Sequence, residues 1–176
     1  LLDYDDELII PEPAYIGYQG IFDAIGSTIV SVPSIIEENF SLDIPAIERA
    51  VTEKTRVLLI NTPGNPAGNI IPADQLKHLA SYCLERNIWL VCDEVYSMIT
   101  FEKKHISART AAADLENVIV IDGLSKSHAM TGWRLGWIVA TTNVIEKLLN
   151  FTSATIFGCS QFIQDAAAFA MKNDGD

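Results

Sequence analysis

Short apolar runs alternate with longer amphipathic stretches along the whole chain. The runs that predict β-strands are Leu8–Ile10, Thr28–Val32, Val57–Ile60, Ile88–Cys92, Val118–Ile121 and Leu135–Ala140. Three of them, from the third to the fifth, are apolar at every position rather than at every second one. Continuous apolar character is typical of strands that are covered on both faces, as in a parallel sheet.

The stretches between these runs carry apolar residues at helical spacing. They predict helices over Tyr15–Ile25, Ile44–Val51, Pro72–Arg86, Asn143–Asn150 and Gln161–Lys172. Asp43 and Thr142 are the predicted N-caps of the second and fourth helices, and Pro72 suits the first turn of the third. The alternation of strands and helices predicts an α/β fold, with a mostly parallel sheet between two layers of helices.

Composition narrows the class of protein. The 176 residues fit one domain. With 12 basic and 23 acidic side chains the net charge is −11, which argues against a nucleic-acid partner. The apolar runs are all shorter than the ~18–20 residues that span a bilayer, so we expect no membrane partner.

The three cysteines, Cys83, Cys92 and Cys159, form no CxxC pair and lie in apolar surroundings. Their odd number and context predict buried, reduced thiols in a cytoplasmic protein. They also show no metal-ligand spacing with the histidines, so we expect no metal site.

Polar and aromatic residues follow the predicted strands directly, and ligands of parallel sheets bind beyond the carboxyl ends of the strands. Together they offer a ring, an amide, a carboxylate, a phenol, a hydroxyl, an ammonium and a guanidinium: Tyr15, Asn65, Asp93, Tyr96, Ser125, Lys126 and Arg134. This set suits a ligand with an anionic group, an aromatic ring and an electrophile. Pyridoxal phosphate has all three, because its phosphate needs cationic and hydroxyl donors, its ring nitrogen a carboxylate and its aldehyde a lysine.

Four segments resemble the motifs of a known family. The stretch from Gly123 to Gly136, GLSKSHAMTGWRLG, resembles the lysine signature of the class I/II aminotransferases, which are fold-type I enzymes that use pyridoxal phosphate. NTPGNPAG from Asn61 is similar to their Asn-Pro-x-Gly motif, and DEVY from Asp93 to their Asp-Glu-x-Tyr motif. PAYIGY from Pro13 resembles the segment with the stacking aromatic residue. The motifs occur in the family's order.

The resemblance implies catalytic roles for Lys126, Asp93 and Tyr96, and a cofactor contact for Asn65. Lys126 would form the Schiff base with the cofactor and later move the substrate's proton as a free amine. Asp93 would pair with the ring nitrogen. Tyr96 and Asn65 would donate hydrogen bonds to the phenolic oxygen of the ring. Glu94, beside Asp93, is expected to be structural.

The resemblance also assigns the remaining contacts to the cofactor. Arg134 would bind the phosphate, with Ser125 as the hydroxyl partner. The chain departs from many relatives at Gly123, where a phosphate-binding serine is common. Tyr15 would stack on the ring face, and Tyr18 would pack nearby or take the same stacking role.

The fold and function implied are those of a pyridoxal-phosphate-dependent aminotransferase, which transfers an amino group from an amino acid to a 2-oxo acid and works as a homodimer. Residues 1–176 would then form the central part of its large, cofactor-binding domain, without an N-terminal segment and a C-terminal small domain. Other interpretations are considered beside this one. A carbon–sulfur lyase or an aminocyclopropane-carboxylate-type synthase would use the same residues, and a truncated cofactor-binding domain would be inactive. A phosphate-binding nucleoside triphosphatase could show a similar Cys-Asp-Glu strand end. It would also need the phosphate-binding motif GxxxxGK[ST], which the chain does not contain.

Overall fold

The computed structural model describes residues 1–173, and residues 174–176 of the predicted domain lie outside the described residues. A six-stranded sheet runs through this part of the chain. Its strands are β1 (Glu7–Glu12), β2 (Thr28–Pro33), β3 (Thr55–Asn61), β4 (Trp89–Asp93), β5 (Val118–Gly123) and β6 (Gly136–Val139). They are ordered β2-β1-β3-β4-β5-β6, with the first five parallel and β6 antiparallel to β5. This confirms the α/β fold with a mostly parallel sheet.

Seven α-helices lie between and after the strands in residues 1–173. They are α1 (Gly17–Ile25), α2 (Ile44–Ala50), α3 (Ala73–Glu85), α4 (Ala108–Ala111), α5 (Leu124–Ser127), α6 (Thr142–Thr155) and α7 (Gln161–Lys172). The sequence did not predict α4 and α5, because four residues are too few to show helical periodicity. In the described part of the chain, the helices all fall short of the length and apolar character needed to cross a membrane.

Helix ends show where the sequence prediction holds and where it fails. Asp43 caps α2 as predicted, since its carboxylate accepts a hydrogen bond from the Ala46 N–H at 2.9 Å. The predicted cap Thr142 is wrong: it is the first residue of α6, and Thr141 precedes it without a capping hydrogen bond from its side chain. Helix α1 begins at Gly17 instead of Tyr15, which leaves Tyr15 in the turn before the helix.

Two apolar clusters cover the two faces of the sheet, because successive residues of a strand point to opposite faces. In β3, Leu58 and Ile60 belong to the cluster that contains the buried stripe of α3, whereas Val57 and Leu59 belong to the cluster with Tyr18 and Val144. Each fully buried leucine or isoleucine contributes ~1.5–3 kcal/mol to folding. The continuous apolar strands of the sequence are therefore explained by helices on both sides.

The cysteine prediction is correct at two positions and wrong at the third. Cys83 and Cys92 are buried, and burial raises the pKa of the Cys83 thiol to about 12. Cys159 is exposed, because it lies in the connection between α6 and α7 and belongs to neither cluster.

Strand order places a crevice at one edge of the sheet. After β1 the chain moves outward to β2, and it then returns to the other side of β1 to form β3. Connections on either side of such a reversal leave open space beyond the carboxyl ends of the strands, which is where α/β proteins bind ligands.

Candidate active site

All seven predicted site residues lie at the carboxyl edge of the parallel strands. Tyr15 follows β1, Asn65 follows β3, Tyr96 follows β4, and Lys126 follows β5; Asp93 is the last residue of β4 and Ser125 lies beside Lys126. Arg134 precedes β6, and because β6 is antiparallel, it begins where its neighbour β5 ends. The direction of β6 therefore brings the guanidinium group to the same edge.

Asn61 connects two of the predicted motifs at the end of β3. Its side-chain amide donates to the carbonyl oxygen of Asp93 at 2.8 Å, and its side-chain oxygen accepts from the Asn65 N–H at 2.7 Å. The Asn65 amide in turn donates to the Tyr96 hydroxyl at 3.0 Å. The amide and phenol predicted to bind the same cofactor oxygen thus lie within hydrogen-bond distance of each other.

Both carboxylate oxygens of Asp93 accept hydrogen bonds. The Tyr18 hydroxyl donates to Oδ2 at 2.6 Å, and the Val95 N–H donates to Oδ1 at 3.2 Å. Burial, with a further contribution from the charge of Asp93, raises the pKa of Tyr18, so its phenol keeps the proton that it donates. The orientation of the carboxylate is fixed from two sides.

Tyr15 lies two residues before the first residue of α1, and 48% of its surface is exposed. Its ring meets that of Tyr18 edge to face, with ring centroids 5.5 Å apart and an interplanar angle of 86°. The ring also occupies the space beside Gly17, where an added Cβ atom would clash with the Tyr15 ring. A side chain at position 17 would therefore displace the Tyr15 ring.

Lys126 is exposed on the short helix α5. Its ammonium lies 5.8 Å from the centre of the Tyr96 ring, within the range of a cation–π contact. The amine therefore lies beside the phenol, at the same edge as Asp93.

Asp93, Ser125 and Arg134 line one open cleft of about 290 Å³. Arg134 has a left-handed backbone, with φ of 54°, and its guanidinium donates to the Thr131 carbonyl at 2.9 Å. That bond uses one of its five N–H donors. The half-buried Asp122 shares this cleft, and burial raises the pKa of its carboxyl.

Glu94 is buried and faces away from solvent. One oxygen accepts from the Ala108 N–H at 2.7 Å, and the other lies 3.1 Å from Nε2 of the buried His105. These contacts attach the segment after β4 to the start of α4, in agreement with the structural interpretation of Glu94.

Sequence reasoning missed two residues of this site. From the sequence, Asn61 is named only as part of a motif, although it is the first polar residue after the apolar run Val57–Ile60 and the last residue of β3, where ligand-binding side chains are expected. Tyr18 is expected to pack or to stack, and its ring does pack edge to face against the ring of Tyr15. Nothing in the spacing indicates the hydrogen bond to Asp93.

Comparison with known proteins identifies the family. The family model described as "Aminotransferase class I and II" matches residues 1–176. The chain belongs to this family. It is 36% identical over 98% of its length to arginine–pyruvate transaminase of Pseudomonas aeruginosa, and 35% identical over 96% to an aspartate aminotransferase of Pyrococcus abyssi.

Solved structures agree with the family assignment. A single mutant of Thermus thermophilus aspartate aminotransferase superposes with a TM-score of 0.92 over 98% of this chain, at 32% identity, and the match covers 45% of that chain. The aromatic aminotransferase of Pyrococcus horikoshii superposes with a TM-score of 0.90 over 99% of this chain, at 34% identity, and 47% of that chain is covered. Both curated relatives are covered to 44%, so this chain spans less than half of their length.

Proposed function

We propose that this chain supplies the cofactor-binding part of a pyridoxal-phosphate-dependent aminotransferase, which moves an amino group from an amino acid to a 2-oxo acid. The observation that carries the proposal is the convergence of Lys126, Asp93 and the Asn65–Tyr96 pair at one edge of the sheet, in a member of this family. On this proposal residues 1–176 form the central part of the large domain. The homodimer and the cytoplasmic location stay predictions.

The donor set of the site fits pyridoxal phosphate. The carboxylate of Asp93 accepts one hydrogen bond at each oxygen, and a carboxylate has about four lone-pair sites, so acceptor capacity is left for a ring N–H. Arg134 and Ser125 share a cleft and supply a guanidinium and a hydroxyl for a phosphate. When bound, the cofactor supplies an aldehyde that reacts with amines and a ring that accepts electron density.

The remaining chemistry belongs to residues of the chain. Lys126, as an unprotonated amine, would take the proton from the α-carbon of the substrate and deliver it to the C4′ carbon of the cofactor. Tyr96 and Asn65 would hold the phenolic oxygen, and Asp93 would keep the ring nitrogen protonated. Tyr15 would cover one face of the ring.

The names of the relatives support the aminotransferase over the lyase or synthase alternative. All the relatives and structural neighbours described above are named as transaminases or aminotransferases. Their named substrates differ, being arginine with pyruvate, aspartate and aromatic amino acids. We therefore propose the reaction class and leave the amino donor open.

Reductive trapping tests the proposal. The purified protein is mixed with pyridoxal phosphate, reduced with borohydride and digested for mass spectrometry. We expect the added mass on Lys126 and its loss in Lys126→Ala, while Lys77→Ala, a change on the exposed side of α3, retains the label. Labelling of another lysine, or none in folded protein, contradicts the proposal.

A further inference from the structure

Tyr18 contacts two residues that the proposed reaction needs. Its hydroxyl donates to Asp93 Oδ2 at 2.6 Å, and its ring supports the edge of the Tyr15 ring with centroids 5.5 Å apart. These residues lie after β1 and at the end of β4, which are separated by β3 in the sheet. One side chain thus bridges the proposed partner of the ring nitrogen and the proposed stacking residue.

We infer that Tyr18 is a positioning residue, whose phenol holds the Asp93 carboxylate in the orientation that binds the protonated ring nitrogen of the cofactor. The inference rests on the proposed function, since it concerns the same cofactor. Tyr18 does not touch the cofactor in this role and acts through Asp93.

The packing around Tyr18 holds its hydroxyl in one position, so that the hydroxyl can orient the Asp93 carboxylate. The residue is 9% exposed and belongs to the apolar cluster with Leu8, Ile10 and Leu59, so its ring is packed and has little freedom to turn. Its backbone is held as well, because its N–H donates to the Tyr15 carbonyl at 3.1 Å. A donor on such a support restricts the carboxylate more than a donor on a solvated side chain would.

The hydrogen bond has a defined direction. Because burial and the nearby carboxylate raise the pKa of Tyr18, the phenol keeps its proton and is the donor in this hydrogen bond. The Val95 N–H holds the other oxygen at 3.2 Å. With both oxygens held, the lone pairs that remain point in fixed directions before any ligand arrives.

A double-mutant cycle in cofactor affinity tests this role. Tyr18→Phe keeps the packed ring and removes the hydroxyl, and Asp93→Ala removes the acceptor. The dissociation constant of pyridoxal phosphate is measured by absorbance titration for the unmodified protein, for each variant and for the double variant. Tyr82→Phe is the matched control, because the Tyr82 hydroxyl donates to the Glu48 carbonyl, away from the site.

We expect Tyr18→Phe to weaken binding by roughly tenfold, as for a lost hydrogen bond to a charged group, and Tyr82→Phe to leave it unchanged. In the Asp93→Ala background the same Tyr18 change should have little further effect, because the phenol acts through the carboxylate. An equal loss in both backgrounds would indicate packing alone and overturn the inference, as would full affinity of Tyr18→Phe. If the unmodified, folded protein takes up no pyridoxal phosphate, the proposed function fails and the inference falls with it.

Discussion

Thr62 offers a sharp test of how the loop that carries Asn65 is held. The residue is fully buried, and its hydroxyl oxygen accepts a hydrogen bond from the Ile71 N–H at 3.0 Å. Its own N–H donates to the Asp93 carbonyl at 3.0 Å. The side chain thus closes the segment between β3 and α3 at its base, and Thr62→Val is the perturbation that removes this contact alone.

The loss of stability expected for Thr62→Val follows from the burial of both hydrogen-bond partners. Valine has nearly the shape of threonine, so the change opens no cavity, and the backbone bond to Asp93 is kept. The Ile71 N–H, however, belongs to a residue that is 4% exposed and is left without its acceptor. A buried, unsatisfied donor costs ~1–3 kcal/mol, a large share of the ~5–15 kcal/mol by which a domain is stable.

Urea denaturation and hydrogen exchange measure the effect. We expect the midpoint to fall without a change in slope, and the Ile71 amide to exchange faster. Thr62→Ser is the control: it loses a buried methyl, worth ~1 kcal/mol, but keeps the acceptor, so protection of Ile71 should persist. If Thr62→Val retains both the wild-type midpoint and the protection of Ile71, the reasoning about this hydrogen bond is refuted.

Three further predictions concern thiols, close contacts and charge. Burial raises the pKa of Cys83 to about 12, so the exposed Cys159 should react with alkylating reagents much faster than Cys83 in native protein. Mass spectrometry after brief alkylation at pH 8 checks this, and rapid labelling of Cys83 would contradict it. Gly123→Ala would place a Cβ atom 2.9 Å from the Leu135 carbonyl oxygen and should lower the free energy of unfolding by ~1–3 kcal/mol. Gly20→Ala in α1, where an added Cβ meets no atom within 4 Å, should raise it by ~0.5–1 kcal/mol. Denaturation curves of the two variants that shift in the same direction would refute this pair of predictions. Burial raises the pKa of Asp122, so the folded state holds this proton more tightly than the unfolded state, and stability falls as pH rises from ~4 through the raised value. Asp122→Asn should lack this decline, and melting temperatures between pH 3.5 and 7 that run parallel to wild type would exclude it.

Strand positions could be predicted because burial on both faces leaves a continuous apolar run in the sequence. The run from Val57 to Ile60 shows this directly, with alternate residues in the two apolar clusters. Strand direction leaves no such trace. The run Leu135–Ala140 predicted a strand, but nothing in it indicates that β6 is antiparallel, although this direction is what brings Arg134 to the site.

The chemistry of the site was predictable where it depends on residue type at strand ends, as for Asp93 and Lys126. Contacts between distant segments were not. Tyr18 and Asp93 are 75 positions apart, and their hydrogen bond exists because β1 and β4 end at the same edge. The exposure of Cys159 was missed for a related reason, since local apolar neighbours do not show whether a segment is covered by the rest of the fold.

The contacts at the site divide its residues into two groups with different physical demands. Asp93 is held by four donors: the Thr62 N–H and Asn61 side chain at its carbonyl, and Tyr18 and the Val95 N–H at its carboxylate. A group that must meet one ring atom in one direction gains from such preorganisation, because less ordering cost remains on binding. Lys126 is arranged in the opposite way, with an exposed amine on a four-carbon stem beside the Tyr96 ring. A lysine that must release the cofactor to an incoming amino acid and then carry a proton requires that freedom. The fixed Asp93 carboxylate and the exposed Lys126 amine therefore both fit the chemistry proposed for this edge of the sheet.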